Sequence, residues 1–301
     1  MSILNTNVIP IRGVAASADP DDWNGHRGVF AGNTNVIEYI TITTTGNATD
    51  FGDLSSSRTD MSACSNGSRG VFIGSNTNYV NIMEYITIST TGNATDFGDM
   101  VTYKGSTAAC SNGTRGVIGG GKYSTNNYNV IEYITISTTG NATDFGDLST
   151  TRYAMSACSN ATRGVFVGGY VGSTYNNTME YITISTTGNA TDFGDLLNAS
   201  VYGAGFGNAT RGVFGGGLNP GYYNVIEYIT IDTTGNSTDF GDLSAGKFLI
   251  TGTSNGTRGV FAGGLPSTNV IEYITISTTG NATDFGDLSS ARYGIASTSG
   301  D

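Results

Sequence analysis

The stretch EYITISTTGNATDFGD, residues 84–99, returns unchanged at residues 132–147, 180–195 and 272–287. Two near-copies complete the set. Residues 38–53 carry Thr43 in place of serine, and residues 227–242 carry Asp232 and Ser237. A second marker, Arg-Gly, recurs at Arg27, Arg69, Arg115, Arg163, Arg211 and Arg258, in steps of 42, 46, 48, 48 and 47 residues. A period near 47, rich in Thr, Ile, Tyr, Phe and Gly, suits a four-stranded propeller blade, because helical solenoids use shorter or helix-rich units.

The fourth unit shows how one period divides. RYAMSACSN (152–160), TRGVFVGGY (162–170), MEYITIST (179–186) and ATDFGDL (190–196) read as four successive strands. Asn-Gly or Asn-Ala joins the first two and Gly188-Asn189 the last two, both hairpin signals because these residues tolerate positive φ. The first strand is built of small residues, such as Ser156-Ala157-Cys158. Innermost strands crowding a narrow axis require that. The third strand is apolar on both faces, as a blade sandwiched between two neighbours must be. The expected fold is therefore all-β: a six-bladed propeller with four antiparallel strands per blade.

Closure follows from counting. The chain supplies six second, third and fourth strands but seven candidates for a first strand. The C-terminal RYGIASTSG (292–300) matches residues 152–160 and is expected to join blade one. The competing inner strand is RGVAAS (12–17). On the first reading, residues 1–22 are an N-terminal extension or docking segment and residues 23–301 are the propeller, with Trp23 and its neighbours outside the repeat.

Composition narrows the function classes. Thirteen Lys and Arg against 24 Asp and Glu leave a net charge of -11, which excludes the basic footprint that nucleic acid needs and disfavours an anionic membrane surface. No apolar run reaches the length of a membrane span, so no membrane insertion is expected, and the N-terminus reads as lacking a secretory signal. Cys64, Cys110 and Cys158 fall 46 and 48 apart, one per unit at one equivalent position. They are expected to be buried free thiols.

Catalysis and metal binding find little support. His26 is the sole histidine, and no nucleophile–base set, zinc spacing or phosphate loop is present. Asp144 and Asp147 of the DFGD box lack the extra oxygens of a calcium loop. They are expected to accept hydrogen bonds from turn amides, Gly146 allowing the bend. No cofactor is expected and no enzyme, since an active site is built once and these carboxylates are copied six times. The repeated Arg27, Arg69, Arg115, Arg163, Arg211 and Arg258 are expected to pair with Glu38, Glu84, Glu132, Glu180, Glu227 and Glu272 as ion pairs fixing register. The many Asn-x-Ser/Thr triplets sit at hairpin turns and read as turn chemistry.

The copies disagree in one place. Loops joining strands two and three range from AGNTN (31–35) to GGYVGSTYNNT (168–178), and the links from strand four to strand one vary with them on the same face. They are rich in Tyr, Asn, Gly and Ser, a mixture that gives rigid aromatic contact with adaptable hydrogen bonding. Tyr79, Tyr123, Tyr128, Tyr170, Tyr175, Tyr222 and Tyr223 are the candidate ligand-binding residues.

A strand ending in Gly-Gly, a variable loop, EYITI and an aromatic in the last strand together resemble the kelch motif of β-propellers. The wording NVIEYITISTTGNATDFGDL with TRGVFGGG is closer still to the kelch-like repeats of tail-fibre-like proteins of marine bacteriophages, cyanophages among them. Phe51, Phe97 and Phe145 stand where ordinary kelch repeats carry Trp. The resemblance implies a virion or tail-appendage protein, made in the host cytoplasm, with a host-surface glycan or protein and other virion subunits as its partners. Two other readings remain: a purely architectural virion subunit, and a carbohydrate-active enzyme.

Overall fold

In a computed structural model the described residues are 25–300, and they form six four-stranded antiparallel sheets arranged as a six-bladed β-propeller. The N-terminal extension assigned to residues 1–22, Trp23 and the competing strand at residues 12–17 lie outside the described residues. Blade one combines Arg27–Ala31, Val36–Thr41 and Thr49–Asp53 with the C-terminal strand Ala296–Gly300. Arg27 stands opposite Gly300 and Ala31 opposite Ala296. The C-terminal strand thus closes the ring, as the strand count requires.

The strands are shorter than the sequence suggests. In blade four the first strand is Ser156–Ser159, because Ala154 adopts φ 59° and turns the chain before it. The other strands of this blade are Arg163–Val167, Thr178–Thr183 and Thr191–Asp195.

The apolar core is divided into six clusters, one at each blade interface. One joins Val117, Ile131 and Phe145 of blade three to Phe166, Ile182 and Ile184 of blade four. The third strand supplies both of its clusters by turning alternate residues to opposite faces, as strand geometry dictates.

The copied sixteen residues are explained by what they do between blades. In all six interfaces the Gly-Asn-Ala turn (Ser237 replacing Ala once) of one blade clasps the outer strand of its neighbour. Gly188 N donates to Phe145 O at 2.8 Å and Ala190 N to Asp147 O at 2.8 Å. Asp147 N in return donates to Asn189 Oδ1 at 3.0 Å. Equivalent bonds run around the ring to Asp287 and Asn47. Gly146 has φ 149°, and a β-carbon there would lie 2.4 Å from Gly188 O. That close approach, more than a free bend, demands glycine. It also corrects the carboxylate expectation: the backbone of Asp147 makes the bonds, and the side chains of Asp144 and Asp147 accept none from turn amides among the described residues.

The Arg-Gly marker also serves an interface. A β-carbon at Gly116 would lie 2.5 Å from Cys64 Sγ, and one at Gly164 would lie 2.5 Å from Cys110 Sγ. Each glycine therefore admits the inner-strand side chain of the preceding blade. Blade five departs from the small-residue rule with Phe206, whose ring meets Phe261 at 4.8 Å. Gly252 and Gly259 make room for it.

All three cysteines are free and buried. Desolvation pushes the Cys64 thiol up to about 12 and raises Cys110 and Cys158 as well. Thiolate is the reactive form, so none of the three is expected to react with a disulfide reagent at neutral pH in the native protein. All three should titrate after unfolding. Rapid modification of even one in the folded state would contradict the packing of the inner strands.

Candidate functional site

The repeated arginines and glutamates are not partners. Arg27 stands opposite Thr41, and Glu38 opposite Phe30. A three-residue offset in a period-two ladder sends the two side chains to opposite faces. Arg27, Arg69, Arg115, Arg163, Arg211 and Arg258 instead lie over Tyr39, Tyr85, Tyr133, Tyr181, Tyr228 and Tyr273 at 4.1–4.4 Å. Each tyrosine meets the phenylalanine of its DFGD box edge-on, as Tyr133 meets Phe145 at 6.1 Å. Each guanidinium also donates to a carbonyl of the next blade; Arg115 reaches Ile184 O at 3.0 Å. Cation–π contact and an inter-blade hydrogen bond thus fix these arginines.

The glutamates pair with a different set of cations, which sequence reading missed. Arg58 pairs with Glu84, Lys104 with Glu132, Arg152 with Glu180, Lys247 with Glu272 and Arg292 with Glu38. These cations end the links from strand four to strand one. Their signal was a basic residue six positions before the inner-strand Cys or Thr in five of six units. Glu227 of blade five has Ser200 at the matching position and accepts from Ser237 Oγ at 2.5 Å.

Two residues beyond each of these positions the chain enters the left-handed region. Asp60, Ser106, Ala154, Tyr202, Leu249 and Gly294 have φ between 52° and 60°. Their amides and carbonyls form a closed ring of six hydrogen bonds of 2.7–3.0 Å around the axis, from Asp60 N to Gly294 O through to Gly294 N to Leu249 O. Only Gly294 announces that geometry in sequence. The ring encloses a cavity of about 60 Å³. Burial raises the Asp60 carboxyl, and burial together with the nearby Asp60 charge raises the Tyr202 phenol. At the opposite end of the axis the hydroxyls of Ser65, Ser111, Ser159, Ser254 and Ser299 each donate to a neighbouring inner-strand carbonyl at 2.6–2.8 Å. Between these ends the channel is lined by the small residues that the sequence places on the inner strands, with Phe206 as the exception in blade five.

The variable loops rise around the axial ring. Three of them form short hairpins: Lys122–Tyr123 with Asn126–Asn127, Tyr170–Val171 with Thr174–Tyr175, and Leu218–Asn219 with Gly221–Tyr222. Five of the seven candidate tyrosines join aromatic groups there. Tyr79 meets Tyr123 at 5.2 Å, and Tyr170 meets Tyr175 at 5.1 Å. Tyr153 and Tyr202, which the sequence reading passed over, meet Tyr170 at 5.1 and 6.3 Å. Phe248, also missed, links Tyr202 to Tyr222. Lys122 Nζ lies 4.6 Å from the Tyr153 ring.

Tyr128 and Tyr223 stand apart from this network. They sit at the hairpin bases, where Tyr128 N donates to Gly121 O and Tyr128 O accepts from Arg152 N. Tyr223 repeats the pattern with Gly217 and Lys247. Asn176 occupies the same place in blade four, so the position serves its backbone.

The most exposed large apolar side chains among the described residues are Val101, Tyr103, Tyr123, Leu197, Tyr222 and Tyr293. All six lie on the two-to-three loops or the four-to-one links. Among the described residues no group of three or more His, Cys, Asp or Glu is placed to hold a metal, and no helix is long and apolar enough to cross a membrane. Neither the protein-family models nor the curated proteins searched contain a match to this chain.

Proposed function

We propose that the chain is a non-enzymatic virion or tail-appendage protein of a phage, binding a host-surface glycan or protein through the variable face of its propeller. One observation carries the binding half of this reading: among the described residues every strongly exposed large apolar side chain lies on that face. Chance would scatter such residues over the surface. The tyrosines and Phe248 form preorganised aromatic groups across the hairpins and the links from strand four to strand one, so little side-chain entropy is lost on contact. The virion half rests on the resemblance of the repeat to kelch-like repeats of marine phage tail-fibre-like proteins.

The test is binding of labelled protein to a glycan array and to intact marine bacteria. Tyr170→Ala with Tyr222→Ala should weaken binding at least about tenfold, since aromatic anchors are worth more than about 1 kcal/mol each. Tyr128→Phe, at a backbone position, should leave binding and melting temperature unchanged. Absence of binding to any surface would favour the architectural alternative, and turnover of a glycan would favour the enzymatic one.

A further inference from the structure

Blade five keeps a cation's surroundings without the cation's side chain. In blade four Arg152 reaches Glu180, and its Nη1 also donates to the carbonyls of Gly168 and Thr178 at 3.2 and 3.0 Å. The equivalent acceptors in blade five are Glu227, Gly216 and Val225, and the equivalent of Arg152 is Ser200. These four residues line one cavity of about 30 Å³. Ser200 Oγ reaches only Gly216 O, at 3.2 Å.

Glu227 is 6% exposed. Its Oε2 accepts from Leu197 N at 3.0 Å and from Ser237 Oγ at 2.5 Å. Its Oε1 accepts no hydrogen bond from any described residue. In each of the other five blades one carboxylate oxygen takes the link amide and the other takes the cation, as Glu132 does with Val101 N and Lys104 Nζ. Ser237 replaces the alanine of every other copy and supplies part of what the cation would give. It does so on the oxygen that already holds an amide.

We propose that this pocket is a binding site for the primary ammonium of an unbranched alkyl chain, with Glu227 Oε1 and the Gly216 and Val225 carbonyls taking its three N–H groups. A primary ammonium has the donor count for three acceptors. Lys104 and Lys247 place that same group against the equivalent glutamates. The volume suits a head group of about two heavy atoms, given that one water needs about 10–15 Å³ in this measure. Access is from the loop face: Ser200 is half-buried and Leu197 is exposed. Asn219 Nδ2 to Ala199 O ties the Tyr222 hairpin to the same rim. A lysine side chain of a partner and a free polyamine share this chemistry. The inference stands independently of what the tyrosines bind.

The test follows the Leu197 amide by NMR while methylammonium chloride is added, with tetramethylammonium chloride at equal ionic strength as a cation that cannot donate. A saturable shift with methylammonium alone is expected. Ser200→Lys, which brings its own ammonium, and Glu227→Gln should each weaken it at least about tenfold, or about 1.4 kcal/mol. Putrescine and an Nα-acetyl-lysine methylamide probe then distinguish the two sources by which one saturates first. A shift that never saturates, is equal with tetramethylammonium, or persists in a folded Ser200→Lys variant overturns the proposal.

Discussion

A chain ending at Ile295, which keeps that buried core side chain and removes only the closing strand, is expected to lose the cooperative fold or to melt more than about 10 °C below the full-length protein. The C-terminal strand contributes little apolar volume, since its side chains are Ala296, Ser297, Thr298, Ser299 and Gly300. Its weight is topological. It is the sole partner of the inner edge of Arg27–Ala31 among the described residues. It also receives the Ser65 hydroxyl at Ser299 O, donates Ser299 Oγ to Ser254 O, and pairs Ser297 with Thr251. Losing about five hydrogen bonds at about 1 kcal/mol each removes roughly 5 kcal/mol. For domains of this size each kcal/mol moves the midpoint by about 2–4 °C. The deletion also leaves a raw sheet edge facing solvent, which invites association between chains. Thermal melting with size-exclusion chromatography would read both effects. A monomer melting within about 2 °C of the full chain would show that the ring holds without its closing strand.

The blades, their number and their closure were legible because the repeat writes them six times and the count leaves one strand over. The interface chemistry was harder to see. Identical motifs such as EY and RG announce that something is shared around the ring, but not which residues face each other. The Arg115–Glu132 pairing was plausible by proximity in sequence and impossible by register, since Glu132 stands opposite Ile118 and Arg115 opposite Thr135. The true cations were hidden in links that otherwise vary. The axial ring was hidden more thoroughly, because Leu249, Tyr202 and Ala154 adopt positive φ with nothing in their identity to mark it. Loop tyrosines were legible as a class. Which of them meet depended on the hairpins, which left Tyr222 exposed, set Tyr170 among Tyr153, Tyr175 and Tyr202, and used Tyr128 and Tyr223 as backbone anchors.

The natural difference between blades four and five predicts the second large effect. Arg152→Ser should destabilise the protein by about 3–5 kcal/mol, because it leaves Glu180 as a buried charge without its partner. Arg152 is 1% exposed, and burial lowers its guanidinium to about 10, so it remains a cation at neutral pH. Glu180 would then retain only the Ser149 amide at 3.0 Å. Blade five shows a remedy: Ser237 occupies the place that Ala190 holds in blade four, and its hydroxyl reaches Glu227. Adding Ala190→Ser to Arg152→Ser should recover about 1.5–3 kcal/mol, the worth of a hydrogen bond to a charged group. Ala190→Ser alone, with Arg152 still in place, should gain nothing. The double-mutant cycle, read by denaturant unfolding, would then show a favourable coupling between two positions 38 residues apart in sequence that meet at one carboxylate. Additive effects would mean that Ser237 and Ser200 are unrelated substitutions, and that blade five tolerates its glutamate for some other reason.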